Sequence, residues 1–74
     1  MYYYRNMNET NEITQREKEV LALIADGKSN PEIAETLMIS MHTVKAHTES
    51  LYRKLKVHNK VQAAVYAIVN KILP

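Results

Sequence analysis

The single glycine of this 74-residue chain, Gly27, restricts its fold more than any other feature. A tight β-hairpin needs residues at positive φ, and glycine supplies that conformation without strain. One glycine cannot serve the several hairpins of a sheet protein, so the sequence predicts an all-α fold. A chain of this length has room for one domain, because such a small chain buries only about 60% of its unfolded surface.

Two absences narrow the class of protein further. The chain has no cysteine, which excludes a disulfide framework, a thiolate metal site and a cysteine nucleophile. Charged residues interrupt every long apolar stretch, and the N-terminus lacks the basic and then apolar segments of an export signal. We therefore expect a soluble intracellular domain that does not enter a membrane.

Capping signals predict the first two helices. Thr14 and Glu17 have the spacing of a reciprocal capping box, and the helix that they open is expected to stop at Gly27. Asn30 is expected to cap a short second helix with Pro31 in its first position, where the missing N–H costs nothing.

The next signals predict two more helices. Ile39 lies in a short connection that ends at Ser40, the expected N-cap of a third helix over about residues 41–55. Two helices joined by a tight turn with an apolar residue inside it form a helix-turn-helix. Asn59 is expected to cap a fourth helix over about residues 60–72.

The segment before these helices has a different character. Residues 1–12 are rich in asparagine and show neither helical nor alternating periodicity. We expect them to be a disordered, flexible tail or the remnant of a linker. Residues 13–74 are expected to form one compact four-helix domain that contains the helix-turn-helix.

Charge is divided unevenly between the two halves of the chain. Residues 1–37 hold four Lys and Arg against seven Asp and Glu, a net charge of −3. Residues 38–74 hold six against one, a net charge of +5, together with all three histidines. A polyanion would meet the second half first, although an ordinary solvated surface is the alternative.

The predicted third helix has two different faces. Val44, Leu51 and Leu55 form a narrow apolar stripe when residues are placed at 100° intervals. The opposite face combines two cations, an imidazole, a small residue and an acid: His42, Lys45, Ala46, Glu49 and Arg53. A small residue beside long basic side chains suits a helix that lies in the major groove of DNA. The alternative is a solvated face on which Glu49 and Arg53 form an i, i+4 ion pair.

The predicted fourth helix is apolar around nearly its whole circumference. A single hydrophobic core cannot bury all of this surface. An apolar seam follows at i, i+3, i+4, i+7 and i+11, formed by Val61, Ala64, Val65, Ile68 and Ile72. This seam predicts a homodimer. Two single helices bury less than the roughly 1,200 Å² of a standard interface, so the dimer is expected to be weak and to be strengthened on DNA. The alternatives are a central place in the bundle or packing against a neighbouring domain.

Five blocks of the sequence, in order and at matching spacing, resemble the LuxR/GerE-type DNA-binding domain: 13–21, 27–34, 39–40, 43–47 and 54–57. The resemblance covers about residues 13–73. Ile13 replaces the usual leucine and Lys60 the usual arginine. This resemblance implies a four-helix transcriptional regulator of bacteria, often the output half of a response regulator, that binds as a dimer to inverted half-sites of double-stranded DNA. It also implies a cytoplasmic, nucleoid-associated protein, with RNA polymerase as a candidate further partner.

The resemblance and the charge pattern together assign roles to individual residues. Base reading falls to His42, Lys45, Ala46 and Glu49, and phosphate contact to Ser29, Asn30, Thr43, His47, Arg53 and Lys54. The carboxylate of Glu49 repels phosphates but can accept a hydrogen bond from cytosine N4. For two of these residues an alternative to phosphate contact stays open. Thr43 can be a first-turn helix residue without a partner, and Lys54 can pair with Glu17 inside the fold.

Catalytic chemistry has little support in the sequence. His42 and His47 are five residues apart, not the four that align two metal ligands on a helix, and His58 lies beyond a helix end. The chain has neither a glycine-framed serine nor a glycine-rich phosphate loop. The sequence therefore predicts no enzyme, no metal and no cofactor. The remaining competitor to DNA binding is a helical docking or dimerisation module with an incidental basic face.

Overall fold

A computed structural model describes residues 13–71 of the chain. These residues form four α-helices and no strand, which confirms the predicted all-α fold with four helices. The predicted flexible tail, residues 1–12, lies outside the described residues. The helices are α1 (Gln15–Ala25), α2 (Asn30–Leu37), α3 (Met41–Leu55) and α4 (Lys60–Val69).

Helix α1 has the predicted ends. The Glu17 N–H donates to Thr14 Oγ1 at 3.0 Å, and the Thr14 N–H donates to Glu17 Oε1, also at 3.0 Å, which closes the capping box. Ile13, in the staple position before the cap, is buried. After the C-cap residue Asp26, Gly27 turns the chain away at a φ of 86°, in the left-handed region that glycine adopts freely.

The start of α2 corrects one prediction. Ser29, not Asn30, is the N-cap, and Asn30 is the first helical residue. Glu32 lies three residues after Ser29, and the two exchange hydrogen bonds: the Ser29 N–H donates to Glu32 Oε1 at 2.8 Å and the Glu32 N–H donates to Ser29 Oγ at 3.3 Å. This reciprocal pairing selects Ser29 and moves Pro31 to the second helical position.

Helices α3 and α4 begin where the sequence indicates. Ser40 Oγ accepts the Thr43 N–H at 3.0 Å, and Asn59 Oδ1 accepts the Gln62 N–H at 2.8 Å. The turn before α3 contains Met38 at a φ of 58°, a left-handed residue that reverses the chain between α2 and α3.

The end of α4 is a second correction, because the helix stops at Val69 rather than at Ile72. Asn70 ends the helix: its backbone N–H and its side-chain Nδ2 both donate to the Tyr66 carbonyl at 2.9 Å. Lys71 follows at a φ of 55°, which a continuing helix does not allow. Ile72 itself lies outside the described residues.

The core lies where α1 packs most extensively on α4, and α2 and α3 complete it. Its buried apolar residues are Ile13, Val20, Leu21, Ile24, Ile33, Ala34, Val44, Leu51, Leu55, Ala63 and Ala67. The predicted stripe of α3 is therefore the side by which that helix is anchored. Its opposite side stays uncovered by the described part of the chain.

A partly buried ion pair connects α1 to α3. Lys54 Nζ lies 2.9 Å from Glu17 Oε1, and the two side chains retain 22% and 5% of their exposure. Burial of the Glu17 carboxyl raises its pKa, but hydrogen bonds from Lys54, the Thr14 N–H and Ser50, together with the Lys54 charge, outweigh burial and hold the pKa below its usual value. The pair thereby fixes the C-terminal half of α3 against the first turn of α1.

A second long-range contact positions α4. Lys60 Nζ donates to the Lys28 carbonyl at 2.6 Å and ties the start of α4 to the connection between α1 and α2. None of the described helices is both long and apolar enough to cross a lipid bilayer.

Candidate nucleic-acid interface

Four residues on the outer face of α3 share one concave surface. His42, Lys45, Ala46 and Glu49 are all exposed and line a shallow depression of about 200 Å³. They are the four residues that the sequence assigns to base reading. We call this surface the α3 depression.

The anchored side of the same helix explains why this surface faces outward. Val44, Leu51 and Leu55 are buried in the core, and the Thr48 hydroxyl donates to the Lys45 carbonyl at 2.9 Å. Because the stripe recurs at helical spacing, the rotation of α3 about its axis is fixed by packing. The orientation of α3 is therefore set by its buried residues and not by the exposed residues that line the α3 depression.

The chemistry of the α3 depression is mixed. Lys45 brings three N–H donors and Glu49 brings acceptors, while His42 can donate or accept and Ala46 adds a small apolar surface. Among residues 13–71, Glu49 and Arg53 do not form the ion pair that the solvated-face alternative requires, and each side chain is exposed. Both charges are available to an external partner.

The candidate phosphate contacts fall into two groups, of which the first lies at helix N-termini. Ser29 is exposed and Asn30 half-buried at the start of α2, and Thr43 is half-buried in the first turn of α3. Thr43 Oγ1 lies 2.9 Å from Ser40 Oγ, so its hydroxyl has a partner within the turn. At α2, hydrogen bonds from the backbone and side chain of Ser29, offset in part by desolvation, hold the pKa of Glu32 below its usual value.

The second group lies along α3 itself. Arg53 is exposed and His47 is half-buried. Lys54 points toward α1 and pairs with Glu17, which is the alternative that the sequence left open for it. Lys54 is thus part of the fold, whereas Arg53, one residue earlier, is on the open surface.

The seam predicted on α4 is largely on the surface. Val61, Val65 and Ile68 are 72%, 52% and 63% exposed, while Ala64 packs partly against the core. The buried residues of α4 are alanines, Ala63 and Ala67. The helix therefore does not occupy the centre of the bundle, and the described residues leave Val61, Val65 and Ile68 mostly exposed.

Sequence reasoning missed part of this apolar surface. Val69 is also exposed, and it lines a groove of about 570 Å³ together with Val57, Val61, Val65 and Tyr66. The spacing Val61, Val65, Val69 was the available signal, since it repeats every four residues. The contribution of Val57 was not visible, because it comes from the loop before α4.

Metal chemistry finds no support in the described part of the chain. Residues 13–71 contain no group of three histidine, aspartate or glutamate side chains close enough to hold an ion. No buried side-chain nitrogen or oxygen among these residues lacks a hydrogen-bond partner.

The tight turn between α2 and α3, together with the outer face of α3 that the described residues leave uncovered, defines a domain of the helix-turn-helix class. The sequence model of the bacterial regulatory proteins of the luxR family, named GerE, matches residues 11–67. The chain belongs to this family of DNA-binding transcription regulators, which confirms the resemblance seen in the sequence.

Individual relatives agree with the family. The chain is 49% identical over 61 residues to the transcriptional regulatory protein LiaR of Bacillus subtilis, covering 82% of this chain and 29% of LiaR. It is 53% identical over 57 residues to the transcriptional regulatory protein YhcZ of B. subtilis, covering 77% of this chain and 27% of YhcZ. It is 43% identical over 61 residues to the response regulator protein VraR of Staphylococcus aureus, covering 82% and 29%. The chain spans less than a third of the length of these relatives.

Proposed function

We propose that residues 13–74 are the sequence-reading domain of a transcription regulator, which places α3 in the major groove of an operator and dimerises through α4. The observation that carries the proposal is the α3 depression: four predicted base-reading residues share one exposed surface opposite the stripe that anchors the helix. A major groove about 12 Å wide admits one α-helix in this orientation.

The α3 depression supplies the contacts that distinguish base pairs. Lys45 donates to guanine, Ala46 approaches a thymine methyl group, and Glu49 accepts from an exocyclic amine. His42, in the first turn of α3, lies at the end of the helix that enters the groove first. These four residues determine which sequence is bound.

Residues around the α3 depression contact the phosphate backbone of the DNA. Arg53 is the best placed cation for a phosphate, since it is exposed and makes no ion pair within residues 13–71. His47 and Thr43, with Ser29 and Asn30 at the start of α2, add polar contacts next to two helix N-termini. Lys54 contributes mainly by fixing α3 through Glu17 and adds its charge from a half-buried position.

The exposed valines and isoleucine of α4 supply the second element of the proposal. Val61, Val65 and Ile68 pair with the same residues of a second copy, and Ala64 allows the two helices to approach closely. A two-fold dimer matches an inverted repeat whose half-sites are separated by about 10 base pairs, one helical turn of DNA. Its small area makes the dimer weak in solution and stronger on the operator.

Salt dependence tests this function against the docking-module alternative, which the exposed apolar face of α4 favours. Binding to duplex DNA should weaken linearly on a log–log plot against salt, with a slope of about −3 for a half-site if three phosphates are neutralised. A partner held by apolar contacts would show almost no slope. Lack of binding to any random duplex pool at about 50 mM salt would reject DNA reading and leave the docking module.

A further inference from the structure

Glu49 is an unusual residue in its surroundings. It is the only acidic residue from position 38 to the end of the chain. It lies one helical turn from Lys45 on one side and from Arg53 on the other, yet within residues 13–71 its carboxylate forms no ion pair with either. Its side chain is exposed and forms one wall of the α3 depression.

A carboxylate in this place opposes the binding of a polyanion. Facing phosphates, it would be repelled by every duplex alike, and a tight complex would leave its charge without a hydrogen-bond donor. A base edge removes this penalty if it offers an amino group. In the major groove, cytosine presents the N4 amino group, which aspartate and glutamate accept from.

We propose that Glu49 is a specificity-determining residue that selects cytosine through its N4 amino group, while Lys45 selects a guanine one or two base pairs away. This inference rests on the proposed function, because it requires α3 to lie in the major groove. It goes beyond that function by assigning cytosine to Glu49 and by giving the distance in base pairs between this cytosine and the guanine of Lys45.

The spacing of the two residues sets the spacing of the two bases. Lys45 and Glu49 are four residues apart, which is about 6 Å along a helix. Successive bases of one strand are about 3.4 Å apart. A helix inclined to the groove therefore reaches bases separated by one or two steps.

Ala46 makes this reading sterically feasible. It is exposed and lines the α3 depression together with Lys45 and Glu49. Its small methyl side chain allows the helix to approach the base edges closely. The side chain of Glu49, which is shorter than that of Lys45, can then reach a base edge as well.

Selection from a randomised duplex pool tests the inference with four proteins: the unaltered chain, Glu49→Gln, Glu49→Ala and Glu35→Gln. Glu35 is an exposed acid of α2 outside the α3 depression, so its variant controls for the loss of one negative charge. The unaltered chain and the control should both enrich one cytosine per half-site, on the order of tenfold over other bases.

The two Glu49 variants should differ from each other at that same position. Glutamine pairs with adenine N6 and N7, so Glu49→Gln should replace cytosine by adenine, and Glu49→Ala should leave the position without a preference. Both variants should keep the guanine assigned to Lys45.

The failures are distinguishable. If the unaltered chain enriches a motif and Glu49→Gln keeps cytosine at every position, the inference is wrong and the proposed function stands. If both Glu49 variants bind all sequences more tightly with an unchanged motif, Glu49 only repels phosphates and the inference is again wrong. If the unaltered chain enriches no motif, the proposed function fails, and the inference fails with it.

Discussion

Lys54 Nζ and Glu17 Oε1, 37 residues apart in sequence, lie 2.9 Å from each other and join the C-terminal half of α3 to the first turn of α1. The carboxylate has two tasks, because it also accepts the Thr14 N–H that starts α1. One side chain thus links the cap of one helix to the orientation of another. The pair lies on the anchored side of α3 and makes the position of the α3 depression depend on the start of the domain.

Lys54→Met should destabilise the domain by removing the charge that compensates Glu17. Leaving one member of a fully buried pair alone costs about 3–5 kcal/mol. Since Lys54 keeps 22% of its exposure, we expect a loss of about 2 kcal/mol in the free energy of unfolding, measured with urea. The double variant Glu17→Gln, Lys54→Met should recover part of that loss. Additive losses would show that the two side chains are not coupled.

The stability of the domain should fall in acid partly through Glu17. Its folded-state pKa lies below the ordinary 4.5, so its contribution is complete above 4.5 and is lost as pH falls through the folded value. Urea midpoints measured from about pH 6 down to about pH 3 should decline less steeply for Glu17→Gln than for the unaltered chain. Parallel curves would contradict a stabilising role for the Glu17 carboxylate.

Much of this fold is visible in the sequence, because helix ends are local. Each helix end is set by interactions with residues no more than four positions away, and the sequence signals that mark these ends are Thr14 with Glu17, Gly27, Ser40 and Asn59. The errors have the same local origin. Asn30 and Ser29 are both good caps, and only the hydrogen bonds of Glu32 decide between them.

The candidate site is harder to predict from the sequence than the helix ends are, because it depends on which residues of other helices pack against α3. Helical spacing predicts five residues on its outer face, of which four line the α3 depression and the fifth, Arg53, does not. Spacing does not tell whether a long side chain turns inward. Lys54 and Arg53 are neighbours in sequence, but Lys54 reaches a partner in α1 whereas Arg53 stays on the surface.

The cap assignment can be checked directly. Ser29→Ala should lower the free energy of unfolding by about 1 kcal/mol, because the Glu32 N–H loses its acceptor. Asn30→Ala, one residue later and already within the helix, should cost only a few tenths of a kcal/mol. Thermal unfolding of the two variants under one condition measures the difference, and a larger effect at Asn30 would contradict Ser29 as the cap.

We expect Lys45 to read a base and Arg53 to contact a phosphate, and variants of the two residues should show this difference. Lys45→Ala should cost about 1–3 kcal/mol of binding free energy on the selected operator and relax the preference at one base position. Arg53→Ala should weaken all duplexes alike and reduce the salt slope by about 1. Titration of the operator and of a scrambled duplex by fluorescence anisotropy gives both quantities. Equal losses on both duplexes for both variants would refute the division of roles.

The Lys54→Ala variant tests the same division from inside the fold. If Lys54 acts chiefly by fixing α3, its removal should weaken binding to every sequence and lower the unfolding midpoint together. Arg53→Ala should leave the unfolding midpoint nearly unchanged, since exposed charges contribute little to stability. A Lys54→Ala protein of unaltered stability with weakened binding would indicate that Lys54 holds a phosphate directly.

Val65→Asp should separate dimerisation from folding. Val65 is 52% exposed on α4, so a charge there can remain in water in the monomer but would be desolvated against a second copy. We expect an unchanged circular dichroism spectrum, unaltered affinity for a single half-site and at least tenfold weaker binding to the inverted repeat, about 1.4 kcal/mol or more. Gln15→Asp adds the same charge at an exposed position of α1 and should change neither affinity. Equal affinities of the Val65→Asp and unaltered proteins for the inverted repeat would exclude Val65 from the interface, and loss of helical signal would place it in the core.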